Sequence, residues 1–232
     1  MTGFSIDWLD LREPADNNAR DKSLALQALQ WVQKNHPNQN NILVDLGSGT
    51  GSSLRALTAF GVGSFVWRLV DNDGQLLDEA LRRHGRNFII EDYQSDLNIV
   101  NELPLKGANL VTASALFDLV SPEFVAAIAK QISTQHTALY AALNYDGKTE
   151  WNPVHPLDAV VLDAFNQDQL RDKGFGPALG PNATEYLKTI FQASGYEVFI
   201  ADSPWNLTGK DHLLVNALIQ GIANAVKENL NE

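Results

Sequence analysis

Short apolar runs alternate with amphipathic stretches along most of this chain. The runs have the length and residue types of buried β-strands, with a loop closing the fourth, and they are found at 42–46, 65–70, 87–90, 108–120, 137–145 and 196–201. Between them, apolar residues recur every three or four positions, as at Leu76, Leu77 and Ala80, which is the period of an amphipathic helix. Repeated strand and helix in this order predict one α/β domain with a three-layer, doubly wound, mostly parallel sheet.

The end of the chain has the pattern of a helix rather than a strand. Apolar residues recur at intervals of four from Leu214 to Val226, which predicts an amphipathic helix over 211–229. A β-strand over 213–218, paired with 196–201, is the alternative interpretation.

A long insert separates the fifth strand from the next helix. That helix begins near Asn182, which has capping-box spacing to Glu185. Connections as long as residues 146–180 are usually functional, and this one leaves the carboxyl end of a parallel strand, where ligands bind in open α/β sheets. The insert therefore predicts a substrate cover, in which Trp151, His155 and Phe175 are expected to face the ligand.

A glycine-rich turn follows the first strand. From Val44 the sequence is Val-Asp-Leu-Gly-Ser-Gly-Thr-Gly, with Gly47, Gly49 and Gly51 at alternate positions. Bare backbone there lets a ligand approach the main chain closely. The dinucleotide spacing G-x-G-x-x-G would need a glycine where Ser52 stands, and the P-loop pattern is absent. A plain connection is the alternative interpretation of the turn.

An acidic residue ends the second strand. Asp71 lies about 20 residues beyond the last glycine, where nucleotide-binding folds carry a carboxylate that accepts hydrogen bonds from ribose hydroxyls. Asp73 competes for this role, because the N-cap of the following helix would look the same in the sequence.

These two motifs resemble those of class I S-adenosylmethionine (SAM)-dependent methyltransferases. The resemblance implies a Rossmann-like methyltransferase fold, in which Asp45 lies near the amino group of SAM and the glycines pass its carboxypropyl chain. By position, Asp96 would accept from the adenine amino group and Leu97 would pack on the ring, although solvation of an acidic loop also explains Asp96. The cofactor-binding residues implied are Asp45, Gly47, Ser48, Gly49, Gly51, Asp71, Asn72, Asp96, Leu97 and Ser114.

Further segments resemble a group of bacterial class I methyltransferases without an assigned substrate. They lie at 8–16, 172–181 and 203–205. The N-terminal helical segment, 1–36, is of a kind that commonly closes over the cofactor cleft in such enzymes. Asp16 and Arg20 stand one helical turn apart within it, so a salt bridge on a solvated face is the alternative.

The chain departs from the resembled fold at one point, and it offers three candidate catalytic residues. The fold normally ends with a seventh strand, and here it is absent or the sequence stops before it. Candidate catalytic residues are Asp118 at the end of the fourth strand, Tyr145 at the end of the fifth, and His155 as a general base. The five histidines are scattered singly, so no metal site is expected.

Composition limits the partners. The 232-residue chain contains no cysteine, which leaves no disulfide framework or thiol nucleophile, and no apolar run of membrane-spanning length. A formal net charge of −11 disfavours nucleic acid, whose non-specific binding comes largely from basic groups. We therefore expect a cytoplasmic enzyme that transfers a methyl group from SAM to the oxygen or nitrogen of a small molecule. An NAD(P)-dependent oxidoreductase and a non-catalytic nucleotide-binding protein on the same fold are the alternatives.

Overall fold

A computed structural model describes residues 4–37 and 40–227 of the chain. It contains five β-strands, namely β1 (Asn41–Leu46), β2 (Phe65–Asp71), β3 (Ile89–Gln94), β4 (Leu110–Ser114) and β5 (Ala138–Ala142). All neighbouring strands are parallel, and the order across the sheet is β3-β2-β1-β4-β5. The strand order reverses between β1 and β4, which is the switch point of a doubly wound sheet.

Eight α-helices surround the sheet within the described residues. They are α1 (Ile6–Ala19), α2 (Lys22–Asn35), α3 (Ser52–Thr58), α4 (Gly74–His84), α5 (Pro122–Ser133), α6 (Asp158–Gln169), α7 (Ala183–Ala193) and α8 (His212–Val226). None of the helices in these ranges is both long enough and apolar enough to cross a membrane.

Each face of the sheet has its own hydrophobic core. Successive side chains of a strand point to opposite faces, so Leu43 of β1 packs with α2, α3 and α4, whereas Val44 and Leu46 pack with α5 and α7. Trp67 of β2 is fully buried in the first of these cores. The predicted three-layer α/β fold is confirmed.

The prediction of a sixth strand at 196–201 is wrong. Residues 196–201 are extended but form no ladder with β5. Tyr196 and Val198 pack against the core beside α7, and the Tyr196 hydroxyl donates to the Thr137 carbonyl oxygen at 2.8 Å. The alternating pattern in the sequence thus marks a segment outside the sheet, in which Tyr196 and Val198 contact the core through their side chains.

The last two helices, α7 and α8, begin close to the positions that the sequence predicts. α7 begins directly after Asn182, but that residue closes a short 3₁₀ turn, Gly180–Asn182, and its side chain caps nothing in the structure. α8 covers 213–218, so the alternative of a strand there is wrong, and no seventh strand occurs among the described residues. Residues 228 and 229 of the predicted helix lie outside the described ranges.

Candidate functional site

A cavity of about 710 Å³ opens at the carboxyl ends of β1, β2 and β4. Its size falls within the range of sites for cofactors and drug-sized ligands. Eight of the ten predicted cofactor residues line it, and they are Gly47, Ser48, Gly49, Asp71, Asn72, Asp96, Leu97 and Ser114. We call the wall formed by the glycine turn and these strand ends the floor of the cavity.

The glycine turn needs its glycines for conformation and for space. Gly47, Gly49 and Gly51 have φ values of +65°, +52° and +85°, in the left-handed region that side chains disfavour. A Cβ atom at Gly49 would lie 3.1 Å from Leu9 of α1, and one at Gly51 would lie 3.2 Å from the ring of His84. Helix α1 therefore covers the turn closely, while Gly51 packs behind the floor.

Asp71 joins the glycine turn to the end of β2. Its Oδ2 accepts from the Gly49 backbone N–H at 2.8 Å, and its Oδ1 accepts from the Asp73 backbone N–H at 3.0 Å. Burial raises the pKa of Asp71, and these backbone donors oppose the shift. Asp73 itself is the N-cap of α4, accepting from Gln75 at 2.9 Å. Asp71 is part of the cavity lining, and a carboxylate has further acceptor capacity beyond these bonds, as binding of a diol would require.

Asp45 lies behind the floor rather than on it. Its side chain is 1% exposed, and neither carboxylate oxygen has a hydrogen-bond partner among the described residues. Burial raises its pKa to about 7, opposed by the nearby Ser53 hydroxyl and the Arg20 guanidinium. Ser53 does line the cavity, so Asp45 is one side chain away from it.

The predicted Asp16–Arg20 pairing does not form. Helix α1 ends at Ala19, and the extended ψ of 128° at Arg20 directs the chain away from Asp16. Asp16 is bound instead by Arg12, through Nε at 2.9 Å and Nη2 at 3.1 Å. Arg20 is 6% exposed and donates from Nη2 to the Ser114 hydroxyl at 2.8 Å.

The opposite side of the cavity is covered by α1 and by Lys173, Gly174 and Phe175, and we call these residues the roof. Arg12 and Asp16 line the cavity from α1, and Trp205, which is not part of the lining, contacts both of them from the C-terminal part of the chain. The Trp205 indole N–H donates to Asp16 at 3.0 Å, and the Arg12 guanidinium lies over its ring at 5.1 Å from the centroid.

Two ion-pair contacts hold α1 to the rest of the protein. Arg55 of α3 donates from Nε and Nη2 to the two carboxylate oxygens of Glu13, and the Nη2 contact is 2.6 Å long. Its Nη1 also donates to the Thr50 carbonyl oxygen of the glycine turn. Arg83 of α4 binds Asp10 at 2.6 Å and 2.8 Å. The roof helix is therefore fixed to the floor by charged side chains.

The adenine side predicted from the sequence also lies in the cavity wall. Leu97 is 5% exposed, and Asp96 accepts from the backbone and side-chain nitrogens of Asn98 at 2.9 Å and 3.0 Å. Asn98 in turn donates to the Gly174 carbonyl oxygen at 3.0 Å. This contact brings the insert to the adenine side, and Phe175 packs there on Phe124.

The insert covers the cavity with fewer residues than expected. His155 is exposed, and with Asp158 it organises the start of α6: its backbone N–H donates to Asp158 and its Nδ1 accepts from Leu157. Trp151 is half-buried and is not part of the cavity lining. Neither Trp151 nor His155 therefore lines the cavity, and His155 belongs to the approach to α6.

The other two catalytic candidates lie behind the cavity wall. The Tyr145 hydroxyl donates to Asn166 of α6 at 2.7 Å, so it is used in packing the insert. Asp118 is 8% exposed, and its Oδ1 has no partner within the described part of the chain. Burial raises the pKa of Asp118 to about 6, against the lowering effect of the Tyr145 backbone N–H and of Arg12. Of the three candidates, only Asp118 retains a free oxygen.

Several lining residues were not singled out as ligands by the sequence. They are Leu9, Arg12, Leu116, Leu119 and Lys173, and Arg20 lies directly behind Ser114. Lys173 is itself paired with Asp168 at 2.8 Å. In the ranges that the structure describes, no three His, Cys, Asp or Glu side chains are placed to hold a metal ion.

The fold is shared with solved methyltransferase structures at low sequence identity. Magnesium protoporphyrin IX methyltransferase from Synechocystis PCC 6803, with bound S-adenosylhomocysteine, has a TM-score of 0.50 at 14% identity over 86% of this chain and 81% of its own. A possible exported protein from Bordetella parapertussis has a TM-score of 0.51 at 15% identity, over 80% of this chain and 65% of its own.

The human N-acetylserotonin methyltransferase structure, in complex with SAM, is matched over 83% of this chain at 14% identity and a TM-score of 0.47. The chain spans about half, 48%, of the length of that protein. No family model and no curated protein matches the sequence.

Proposed function

We propose that this protein is a SAM-dependent methyltransferase that acts on a small molecule. The observation that carries the proposal is the contact between Asp71 and Gly49, which joins an acid-ended second strand to a left-handed glycine turn in one cavity. This arrangement offers a ribose acceptor beside a glycine turn that lines the cavity, at the switch point of the sheet.

The residues of the floor fit SAM in order along the cavity. Leu97 supplies an apolar surface for the adenine ring and Asp96 an acceptor for its amino group. Asp71 would accept hydrogen bonds from the ribose hydroxyls, and the glycine turn would pass the amino-acid chain. Asp45, whose oxygens lack partners, is the acceptor for an ammonium group at the far end.

When bound, SAM would supply a methyl group carried by a sulfonium centre. The neutral thioether that remains after transfer is a good leaving group. The chain's own contribution is to hold the acceptor in line and to exclude water. Leu9, Leu116 and Leu119 give the cavity apolar surface, while Arg12 and Asp16 give it fixed polar groups. Asp118 is our candidate base for an acceptor proton: it lies behind the wall beside the lining residue Leu119, one of its oxygens has no partner among the described residues, and burial raises its pKa to about 6, so contact with an acceptor requires that this oxygen become accessible from the cavity.

Two features favour a small acceptor. The cavity of about 710 Å³ has a roof of helix and loop rather than an open basic surface. The net charge of −11 opposes binding to a polyanion. The Synechocystis neighbour methylates magnesium protoporphyrin IX, which agrees with such a substrate class.

We place the activity in the cytoplasm, since a chain without cysteine has no disulfide framework that calls for an oxidising compartment.

Isothermal titration with SAM, S-adenosylhomocysteine and NAD tests the proposal. We expect both sulfur ligands to bind and NAD to bind far more weakly. Tight binding of NAD alone would favour the oxidoreductase, for which Ser52 replaces the required glycine. Binding of SAM without transfer to any acceptor in a broad small-molecule screen would favour the non-catalytic alternative.

A further inference from the structure

A second cavity lies at the opposite edge of the sheet from the one described above. Its volume is about 370 Å³, within the range of small-molecule sites. Phe65 and Ile89, the first residues of β2 and β3, line it, so it opens at the amino ends of these strands. The seven residues of β2 separate the two cavities, which is a length of about 20 Å. We call this second cavity the amino-edge pocket, and it has no part in the function proposed above.

The wall of the amino-edge pocket is largely aromatic. Phe65 and Trp67 are buried, Phe88 is half-buried, and all three line the pocket. Val62 and Ile89 add aliphatic surface. Aromatic side chains contact other rings favourably in offset-stacked and edge-to-face arrangements. The composition of this wall therefore favours a small ligand that contains an aromatic ring.

Two donors of the amino-edge pocket have no partner. The Trp67 indole N–H is buried and has no acceptor anywhere in residues 4–37 or 40–227, although buried indole groups usually have one. Arg86 is exposed and forms no ion pair or hydrogen bond within the same ranges. The two residues mark the base and the rim of the pocket. Because a buried donor without a partner costs about 1–3 kcal/mol, a ligand that brings an acceptor to Trp67 would be stabilising.

The charge of the amino-edge pocket is opposite to that of the whole protein. The chain has a net charge of −11, but the lining contains Arg86 and no aspartate or glutamate. Arg82, near the end of α4, is paired with Glu79. Arg83 beside it is paired with Asp10. Arg86 thus keeps its guanidinium for a ligand, and the planar guanidinium matches the geometry of a carboxylate.

We infer that the amino-edge pocket binds a small aromatic carboxylate. The ring packs against Phe65 and Phe88, and the carboxylate takes the free donors of Arg86 and Trp67. Because the pocket and the first cavity are at opposite edges of the sheet, both can be occupied at the same time. The inference stands independently of the proposed methyltransferase function.

The test is an NMR titration of the isotope-labelled full-length protein with benzoate as the probe. It follows the indole N–H signals of the five tryptophans, and Trp67→Phe identifies the Trp67 signal by its loss. We expect this signal to move on addition of benzoate, because the N–H gains an acceptor, while the other four change little. Benzamide has the same ring without the negative charge, and it should bind about tenfold more weakly, as loss of a charge-assisted hydrogen bond implies.

Two variants test the role of Arg86. Arg86→Gln should weaken benzoate about tenfold and leave benzamide unchanged. Arg82→Gln is the matched control, because Arg82 is 70% exposed near the same helix end and is outside the pocket lining, so neither ligand should be affected. If Trp67→Phe does not fold, the Trp67 signal is assigned in the wild type from its contacts with neighbouring protons. Arg86→Gln, at an exposed position, then decides.

Saturating S-adenosylhomocysteine should not displace benzoate. Displacement would place the binding in the first cavity and overturn the inference. A Trp67 signal that does not move at millimolar benzoate would also overturn it, as would equal binding of benzoate and benzamide or an unchanged benzoate affinity in Arg86→Gln. None of these results bears on the methyltransferase proposal, which the titrations with SAM test separately.

Discussion

The floor and the roof of the cavity are built by different means. In the floor, the glycine turn is held by two hydrogen bonds: the Gly47 N–H donates to the Val70 carbonyl oxygen at 2.9 Å, and the Gly49 N–H donates to the Asp71 carboxylate at 2.8 Å. In the roof, α1 is held by partly exposed ion pairs, and residues 173–175 are held by the ion pair of Lys173 with Asp168, by the contact of Gly174 with Asn98 and by ring packing. A fixed floor suits a constant cofactor, whereas a roof on side-chain contacts can move to admit it.

The floor and the roof also differ in how strongly salt is expected to weaken the interactions that hold them. Contacts of the floor are buried and therefore little affected by salt, while Glu13 and Arg55 remain 18% and 22% exposed. Exposed and partly exposed pairs are screened by salt and contribute little each. We therefore expect any opening of the cavity to occur in the roof rather than in the sheet, and the variants below test each side separately.

The largest effect is expected in the floor, from Asp71→Ala. Removing this carboxylate takes away the ribose acceptor and the anchor of Gly49, and should weaken S-adenosylhomocysteine by about 1.5–3 kcal/mol. Calorimetric titration measures it. Asp73→Ala is the control, because it removes the cap of α4 and should lower stability more than affinity. Unchanged affinity in a folded Asp71→Ala protein would remove Asp71 from the site.

The second effect is a pH dependence from Asp45. Its pKa is raised to about 7 in the free protein by burial, with Arg20, Asp71 and Arg55 as the charged neighbours. A ligand ammonium favours the ionised carboxylate, so affinity should fall as Asp45 is protonated, by roughly five- to tenfold from about pH 7.5 to about pH 6. Titrations across this range measure the slope. Asp45→Asn should abolish the dependence, and a slope that survives this change would assign it to another group.

A smaller effect is expected in the roof, from Glu13→Gln. Loss of the charge-assisted contact with Arg55 should lower the free energy of unfolding by about 1 kcal/mol and speed the dissociation of S-adenosylhomocysteine a few-fold. Denaturation and stopped-flow measurements test these outcomes. Glu150→Gln, at an exposed position in the insert, is the control. If added salt slows ligand dissociation in the wild type, the ion pair does not hold the roof closed.

The smallest effect is a difference in hydrogen exchange within the roof. On binding S-adenosylhomocysteine, exchange should slow in α1 and around residues 173–175, and it should not change around 151–157, which lie away from the cavity. Helix α5 serves as the internal reference. Equal protection of 151–157 and 173–175 would mean that the whole insert acts as one cover.

The floor could be predicted from sequence because its parts are local. A buried strand, alternating glycines and an acid at the end of the next strand identify their own neighbours once the strands are parallel, since all the carboxyl ends meet at one edge. The pairing of Gly49 with Asp71 follows from that geometry. Asp45 was implied only by the resemblance to the methyltransferase motif, and its burial behind Ser53 was not evident from the pattern.

The roof could not be predicted in the same way. Helix α1 has charged residues on most of its sides and no clear apolar stripe, so its buried face is not visible in the sequence pattern. Arg12 and Arg20 both stand four positions from Asp16 in the sequence. Because α1 ends at Ala19, Arg12 forms the ion pair with Asp16 and Arg20 does not. His155 looked like a base because of its residue type, whereas its contacts with Asp158 and Leu157 are local and structural.

The hydrogen bond from Trp205 to Asp16 spans 189 positions of the chain. During synthesis the N-terminal part emerges first, so β1 to β5 can assemble before Trp205 leaves the ribosome. A nascent chain would then hold a finished glycine turn under a helix whose Asp16 still lacks its indole partner. Cofactor capture would become tight only late in translation, and a fragment ending after β5 would bind its ligand loosely even if its sheet were complete.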